Sequence, residues 1–270
     1  MLDLFYITND AKVAKIAEAS GVDRIFVDME YIGKDQRQPN MDTVKNHHTV
    51  EDVRRLRKVL KEAELLVRVN PIHDGSEKEI DEVIRAGADR IMLPMWKSVE
   101  EVESFLEYTG GRIKNILLLE TDEAVRCADN VLRLDGVDEI HIGLNDLHLS
   151  QGKKFLFELL CDGTVDELAE KMKAAGMKFG FGGIGAVSGN APLPAKNVIA
   201  EHYRLGSQMA ILSRAFCNTS VMHDYADIQT AFQNGLRANR EYEQFLSAQN
   251  PDYFEAMHQE TAEIIKKIVG

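Results

Sequence analysis

The chain has 270 residues, of which 44% are hydrophobic, and a formal net charge of -12 at pH 7. This length suffices for a large buried core without disulfides. An acidic chain lacks the basic face that nucleic-acid binding requires, and it is equally unsuited to an anionic membrane surface. An anionic small-molecule substrate remains compatible with it, because a few cations can dominate the potential inside one cleft.

Cysteine spacing and the first residues indicate the compartment. Cys127, Cys161 and Cys217 lie far apart and form neither a CxxC motif nor a disulfide framework. The start, MLDLFYITND, lacks the basic and long apolar regions of a signal peptide. No apolar run reaches the length of a transmembrane helix. The sequence therefore predicts a cytoplasmic protein with no membrane partner.

A junction recurs along the chain, in which an amphipathic stretch ends at a glycine and a short apolar run follows. It is clearest in residues 18–30, 84–96 and 132–146, and weaker in 173–185 and 203–215. Glycine just past a helix can take the left-handed conformation that closes it. Short apolar runs are typical of buried parallel strands. Each junction therefore predicts a helix followed by a strand.

Eight such strand–helix units follow one another in chain order. Capping-box spacing marks four of the predicted helix starts, at Thr49, Ser76, Ser98 and Thr164. The predicted strands lie near residues 3–8, 24–30, 64–71, 90–96, 114–121, 138–146, 178–184 and 208–214.

Eight regular β/α repeats favour a closed (β/α)₈ TIM barrel of the α/β class over an open doubly wound sheet. The first strand is not followed by GxGxxG, which weakens a dinucleotide-binding fold. We expect residues 1–270 to form a single barrel domain with residues 224–270 as a C-terminal helical extension.

The extension exceeds what one barrel needs. Tyr225, Ile228, Phe232 and Leu236 recur at helical spacing and form an apolar stripe. We expect this stripe to form an arm of a homo-oligomer, and the alternative is that it packs on its own barrel.

Polar side chains end several of the predicted apolar strands. Barrel enzymes work at the C-terminal ends of their strands, and a carboxylate there is costly unless it binds a cation or accepts hydrogen bonds. Each such residue can alternatively cap the next helix or join an internal ion pair. Glu120 and Asp146, on neighbouring strands, could present two oxygen ligands to a hard cation. The polar strand-end residues are Asp28, Glu30, Arg68, Asn70, Trp96, Glu120, Asn145, Asp146 and Arg214.

Five segments together resemble the HpcH/HpaI aldolase and citrate lyase β-subunit family, whose metal-dependent barrels bind pyruvate or phosphoenolpyruvate-like acids. The resemblance runs from about Gly21 to Arg214. It is carried by GVDRIFVDME, LLVRVNP, GADRIMLPM, LLLETDEAV and VDEIHIGLNDL in this order.

The resemblance implies roles for particular residues. Glu120 and Asp146 match the two carboxylates that bind Mg²⁺ or Mn²⁺. Arg68 matches the arginine that holds the substrate's carboxylate or carbonyl oxygen, and Asp28 and Glu30 match the acidic motif after the second strand. The segment whose backbone amides help to bind the substrate carboxylate is matched by Gly143, Leu144, Asn145 and Asp146.

The implied activity is a divalent-metal-dependent carbon–carbon lyase, an aldolase, acting on a 2-oxo acid such as pyruvate or oxaloacetate. Such a reaction passes through an enolate, which a cation and an arginine stabilise. No lysine inside a predicted strand suggests a Schiff base instead. Two alternatives stay open: a barrel that binds a metal–keto acid complex as a sensor or partner subunit, and a phosphoenolpyruvate-dependent transferase.

The chain departs from the family pattern near the second strand. Tyr31 stands where aldolases of this family often have a proton-transferring histidine, and Leu118 replaces a glutamine. The extended loop 31–48 carries Lys34, Arg37, Gln38, His47 and His48. We expect His47 or His48 to act as the acid/base group, Arg37 to bind a distal anionic group of the substrate, and Trp96 to wall the site. The alternative for the two histidines is an ordinary polar loop.

Overall fold

The computed structural model describes residues 1–33 and 48–270. Its eight parallel strands form a closed barrel in sequence order, with β8 pairing back onto β1. The predicted TIM barrel is therefore confirmed. The strands are β1 Asp3–Ile7, β2 Arg24–Asp28, β3 Glu64–Arg68, β4 Arg90–Leu93, β5 Lys114–Leu119, β6 Glu139–Ile142, β7 Lys178–Ile184 and β8 Met209–Leu212.

Ten α-helices and one 3₁₀-helix, Leu156–Leu160, surround or extend the barrel in the described ranges. The α-helices are α1 Ala11–Ala19, α2 Val50–Arg57, α3 Ser76–Ala86, α4 Val99–Thr109, α5 Asp122–Val131, α6 Leu144–Ser150, α7 Thr164–Ala174, α8 Ala195–Leu205, α9 Tyr225–Leu246 and α10 Pro251–Val269.

Helix ends follow the predicted chemistry at most junctions. Thr49 forms the expected capping box with Asp52 at the start of α2, and Gly87 and Gly206 close α3 and α8 in the left-handed conformation. The prediction was wrong at Ser76 and Thr164, each of which is the first helical residue and follows a glycine at the N-cap position. Ser76 accepts a hydrogen bond from the His73 amide instead of capping α3.

Apolar side chains form two layers, one on each side of the barrel wall. One lies between the strands and the surrounding helices. The other fills the barrel interior, as in other closed eight-stranded barrels, and consists of Phe5, Phe26, Leu66, Met92, Ile116, Leu118 and Met209.

A buried ionic cluster closes the N-terminal end of the barrel. Arg24 on β2 is 2% exposed and bonds Glu139 on β6 at 2.8 Å, across the barrel interior. Asp3, Glu64, Arg90 and Lys178 also belong to the cluster. Because each of these charges has a partner of opposite sign, the cluster serves to stabilise this end of the barrel.

The two C-terminal helices pack on the molecule itself. Ile228, Phe232 and Leu236 are buried against the barrel, where the Phe232 and Tyr6 rings meet edge to face at 4.8 Å. These three residues of the apolar stripe therefore pack on the protein's own barrel, which was the alternative interpretation. Homo-oligomerisation stays a prediction, and the stripe no longer supports it. No helix of the described chain is long and apolar enough to cross a membrane.

Candidate active site

A cavity of about 350 Å³ opens at the C-terminal ends of the strands. Its described lining contains four carboxylates and two guanidinium groups, which leaves an excess of two negative charges when all are ionised. The charged residues are Asp28, Glu30, Arg68, Glu120, Asp146 and Arg214. Five of these were singled out as candidate site residues from sequence, and Arg214 was noted as a polar strand end.

Arg68 is held by two carboxylates at the end of β2. Its Nε and Nη2 donate to the two oxygens of Asp28 at 2.8 and 2.9 Å, and Nη2 lies 3.4 Å from Glu30 Oε2. Burial alone would lower the pKa of Arg68, but the charges of Asp28 and Glu30 outweigh it and raise that pKa well above its usual value. The guanidinium is therefore permanently charged and fixed in orientation.

The ends of the extended loop are tied to the same strands. His48 Nδ1 accepts a hydrogen bond from the Asp28 amide at 3.0 Å, and Asn70 Oδ1 accepts from the amides of Tyr31 and Ile32 at 3.0 Å each. The Tyr31 side chain is 65% exposed. His48 thus lies beside the strand end that carries Asp28, but it is not among the described residues that line the cavity, and its acid/base role stays a prediction.

Glu120 is a buried carboxylate at the end of β5, 3% exposed. Its Oε1 accepts a hydrogen bond from the Met95 amide at 3.1 Å. Burial raises its pKa well above the usual value, and the neighbouring charges of Asp146 and Glu30 add to the rise. A carboxylate in this setting becomes favourable when a cation compensates it.

Gly143 leaves Glu120 the space it occupies. A Cβ on Gly143 would lie 2.8 Å from Glu120 Cβ and 2.9 Å from its Oε2. Gly143 is the N-cap of α6, which carries Asp146 in its first turn. The backbone that follows β6 therefore packs directly against one carboxylate and leads into the helix that carries the other.

These residues fit a hard divalent cation. Two oxygen-bearing side chains at a charge-rich cavity suit an ion that takes its remaining ligands from water and substrate. The described residues contain no group of three or more His, Cys, Asp or Glu side chains that could hold a metal. A site here would consequently use Glu120 and Asp146 as its protein ligands and leave positions open for substrate.

Four polar residues in the segment after β8 were missed from sequence. Ser213, Asn218, Thr219 and Ser220 line the cavity there. Tyr6 on β1 fixes this segment, since its hydroxyl donates to Cys217 O at 3.1 Å. The run SRAFCNTS, rich in polar side chains after an apolar strand, was the available signal.

The remaining predicted residues divide into three groups. Leu144 and Asn145 line the cavity as expected. Trp96 is 2% exposed within the outer apolar layer and is not among the described residues lining the cavity, so its placement gives no support to a substrate contact. Arg37 and His47, with Lys34 and Gln38, lie outside the described residues.

Closed eight-stranded α/β barrels carry their active sites at the C-terminal ends of the strands, which is where these carboxylates and Arg68 lie. The family model described as HpcH/HpaI aldolase/citrate lyase matches residues 2–181. The chain belongs to this family. Membership supports an enzyme of the aldolase or lyase class in a family that generally depends on divalent metals.

Solved structures show the same fold at low sequence identity. An HpcH/HpaI aldolase from Desulfitobacterium hafniense DCB-2 is 17% identical, with a TM-score of 0.61 over 89% of this chain and 93% of that one. The citrate synthase SbnG is 21% identical, with a TM-score of 0.60 over 86% and 93%. Macrophomate synthase is 15% identical, with a TM-score of 0.56 over 79% and 77%. No functionally curated protein sequence matches significantly.

Proposed function

We propose that the protein is a divalent-metal-dependent carbon–carbon lyase that acts on a 2-oxo acid through an enolate. The observation that carries this proposal is the pairing of Glu120 with Asp146 in a cavity whose described lining has excess negative charge. Mg²⁺ or Mn²⁺ is the expected ion, because carboxylate and water oxygens are the ligands that these ions prefer.

When bound, the cation supplies Lewis-acid stabilisation of the negative charge that develops on the 2-oxo oxygen. Arg68 adds a second positive charge, and its bidentate bond to Asp28 holds the guanidinium ready before the substrate enters. The first turn of α6, from Leu144 to Asp146, lies at the cavity and suits the substrate carboxylate, since the N-terminal turn of a helix favours negative charge.

The cavity offers no amine for Schiff-base chemistry among its described residues. Its described lining contains no lysine. Lys114 and Lys178 begin β5 and β7, at the opposite end of the barrel. This placement favours enolate stabilisation by charge over covalent catalysis by lysine.

Two lining features keep a non-catalytic barrel as the second candidate. Leu118 presents an apolar side chain to the cavity where family aldolases use glutamine, and Tyr31 extends into solvent where they often have histidine. A barrel that binds a metal–keto acid complex without turnover would tolerate both changes.

Deuterium exchange at the pyruvate methyl group tests the proposal without knowledge of the acceptor. Enolate formation removes a methyl proton, and the return of the enolate to the keto acid in D₂O adds a deuteron at the same carbon, so that ¹H NMR shows the loss of the methyl signal. We expect exchange with Mg²⁺ that stops with EDTA and in Glu120→Gln and Asp146→Asn. Glu123→Gln is the matched control, because Glu123 is an exposed acid on α5.

Oxalate, an analogue of the enolate, separates the two candidates. Mg²⁺-dependent oxalate binding without methyl exchange would establish the non-catalytic barrel. Absence of both would overturn the metal site itself.

A further inference from the structure

Strand β7 carries an irregularity at the cavity wall. Its pairing with β8 shifts register between Gly180 and Gly183, so that β7 holds one extra residue. Gly182 lies within this bulge at a φ of 49°, in the left-handed region that glycine adopts without strain. Gly182 and Gly183 both line the cavity.

A buried histidine on β6 bonds the bulge. His141 is fully buried, and its Nε2 lies 3.1 Å from the Gly182 carbonyl oxygen. Because a carbonyl only accepts, Nε2 carries the proton and donates. Nδ1 has no hydrogen-bond partner within the described chain. Burial lowers the pKa of His141 to about 4, so the ring is neutral and keeps this bond near neutral pH.

The bulge in turn supports the first turn of α6. A Cβ on Gly182 would lie 2.8 Å from Leu144 Cδ1, so the backbone of the bulge packs tightly on Leu144. Leu144 is 1% exposed and begins the helix. Asp146 follows two residues later in the same turn, so that its position depends on where Leu144 rests.

We propose that His141 is a positioning residue that locks the β7 bulge against Leu144 and thereby sets Asp146 opposite Glu120. This inference rests on the metal site proposed above and adds to it His141, a residue of the cavity lining that acts on Asp146 through the backbone of β7. An apolar side chain would fill the barrel interior beside Phe5 equally well. It would leave the Gly182 carbonyl without its donor, at a cost of about 1–3 kcal/mol for a buried polar group.

Three variants separate positioning from packing. His141→Phe keeps a ring and removes the donor, whereas His141→Gln keeps an N–H that can reach the Gly182 carbonyl. His202→Phe is the matched control, since His202 is also fully buried and stacks on Phe181 of β7 at 3.8 Å. Its Nδ1 bonds Ser207 and not the bulge.

Mn²⁺ affinity, followed by the electron paramagnetic resonance signal of the free ion, is the first measurement. We expect His141→Phe to weaken binding about 10–100-fold, the usual effect of losing an outer-shell partner. His141→Gln should bind nearly as wild type, and His202→Phe should keep its affinity even if its Tm falls. Unchanged affinity in His141→Phe would overturn the inference.

Amide exchange in the metal-free protein tests, independently of metal binding, whether His141 positions the first turn of α6. We expect His141→Phe to accelerate hydrogen–deuterium exchange in peptides covering 143–150, with His141→Gln and His202→Phe close to wild type there. Equal acceleration in His141→Phe and His202→Phe would reduce His141 to a packing residue. If wild type binds no Mn²⁺, the proposed metal site fails, and this exchange pattern alone upholds or rejects the structural lock.

Discussion

Arg68 and Asp28 face each other through two parallel hydrogen bonds, 2.8 and 2.9 Å long, at the mouth of the barrel. Asp28 is 1% exposed, so the pair is largely shielded from water. A planar guanidinium bonded at two nitrogens cannot rotate freely. The cation is therefore oriented before any ligand arrives, which is the arrangement that stabilises developing charge most effectively.

Two substitutions of Arg68 test the contribution of its charge and that of its bidentate geometry separately. Arg68→Lys keeps the positive charge but cannot bond both Asp28 oxygens, so we expect weaker oxalate binding with a folded protein. Arg68→Ala leaves buried carboxylates uncompensated and should lower the free energy of unfolding by about 3–5 kcal/mol. Urea unfolding and oxalate titration measure the two effects. Arg54→Ala, at an exposed helix position, is the control. Wild-type oxalate affinity in Arg68→Lys would contradict the role of the bidentate geometry.

Neutralising Glu120 should stabilise the metal-free protein and abolish its response to metal. Glu120→Gln removes a buried carboxyl group whose pKa is raised by burial and by the charge of Asp146. A raised pKa means that the ionised form is unfavourable in the folded protein without a cation. Mn²⁺ at 100 times its Kd should stabilise wild type by about 2.7 kcal/mol and leave the variant unchanged. Thermal unfolding with and without Mn²⁺ measures both effects. An equal Mn²⁺ shift in the variant would rule out Glu120 as a ligand.

A methyl group on Gly143 should displace Glu120. Gly143→Ala places a Cβ 2.8 Å from the Glu120 Cβ, closer than carbon atoms pack. We expect Mn²⁺ affinity to fall about 10-fold or more, by analogy with other changes around metal ligands. Gly185→Ala is the control, because its added methyl meets Ala215 Cβ at an ordinary 3.4 Å. Calorimetry of Mn²⁺ binding would refute this expectation if both variants bound equally.

The barrel was predictable because its determinants are local. Gly87 and Gly206 each close a helix in the left-handed conformation and precede a strand within three residues. Ser76 was misassigned because serine occurs both as a cap and in the first turn, and the choice depends on a bond to His73. Helical spacing shows that α9 has an apolar stripe, but it does not show whether the stripe packs on the protein's own barrel or on another subunit.

The sequence could predict only those residues of the candidate site that lie at the ends of apolar strands. Glu120 and Arg68 lie at the ends of apolar strands and line the cavity, as their place in the sequence indicates. Asp146 also lines the cavity, but from the first turn of α6 and not from the end of β6, where it was predicted. The bond from His141 to Gly182 joins residues 41 positions apart, and it needs a bulge that no local pattern in FGFGG specifies. Nor does the sequence show that Trp96 turns into the outer apolar layer, because Trp96 lies past the end of β4 and follows Met95, whose φ of 54° breaks the strand geometry.

An ion pair between His258 and Glu201 lies outside the site, between α8 and α10, and depends on pH. His258 Nδ1 lies 2.9 Å from Oε1 of the buried Glu201, and this bond raises the pKa of His258. The raised pKa contributes stability below the unfolded value near 6.5 that is lost as pH rises through the folded pKa. His258→Gln should therefore be destabilised at low pH and approach wild type above that range. Unfolding curves across pH, with exposed His223→Gln as control, would contradict this if the difference were constant.

The hydrogen bond between His48 and Asp28 limits the role that His48 can take. A backbone N–H only donates, so the bond from the Asp28 amide requires an unprotonated Nδ1 on His48. The neutral ring then carries its proton on Nε2, which leaves that nitrogen unable to accept a substrate proton in this tautomer. We therefore expect His48 to position the strand end that holds Arg68 through Asp28, and proton transfer to come from another group.

Asparagine distinguishes positioning from proton transfer at this residue. In His48→Asn, the side-chain oxygen can accept the same Asp28 amide bond, whereas His48→Ala leaves that amide unpaired at a cost of about 1–3 kcal/mol. The rate of Mg²⁺-dependent deuterium exchange into pyruvate should therefore stay near wild type in His48→Asn and fall about 10-fold in His48→Ala, the equivalent of about 1.4 kcal/mol. Equal and severe losses in both variants would instead make His48 the acid/base group that the sequence predicted, because asparagine can hold the strand end but cannot carry a proton between substrate and solvent.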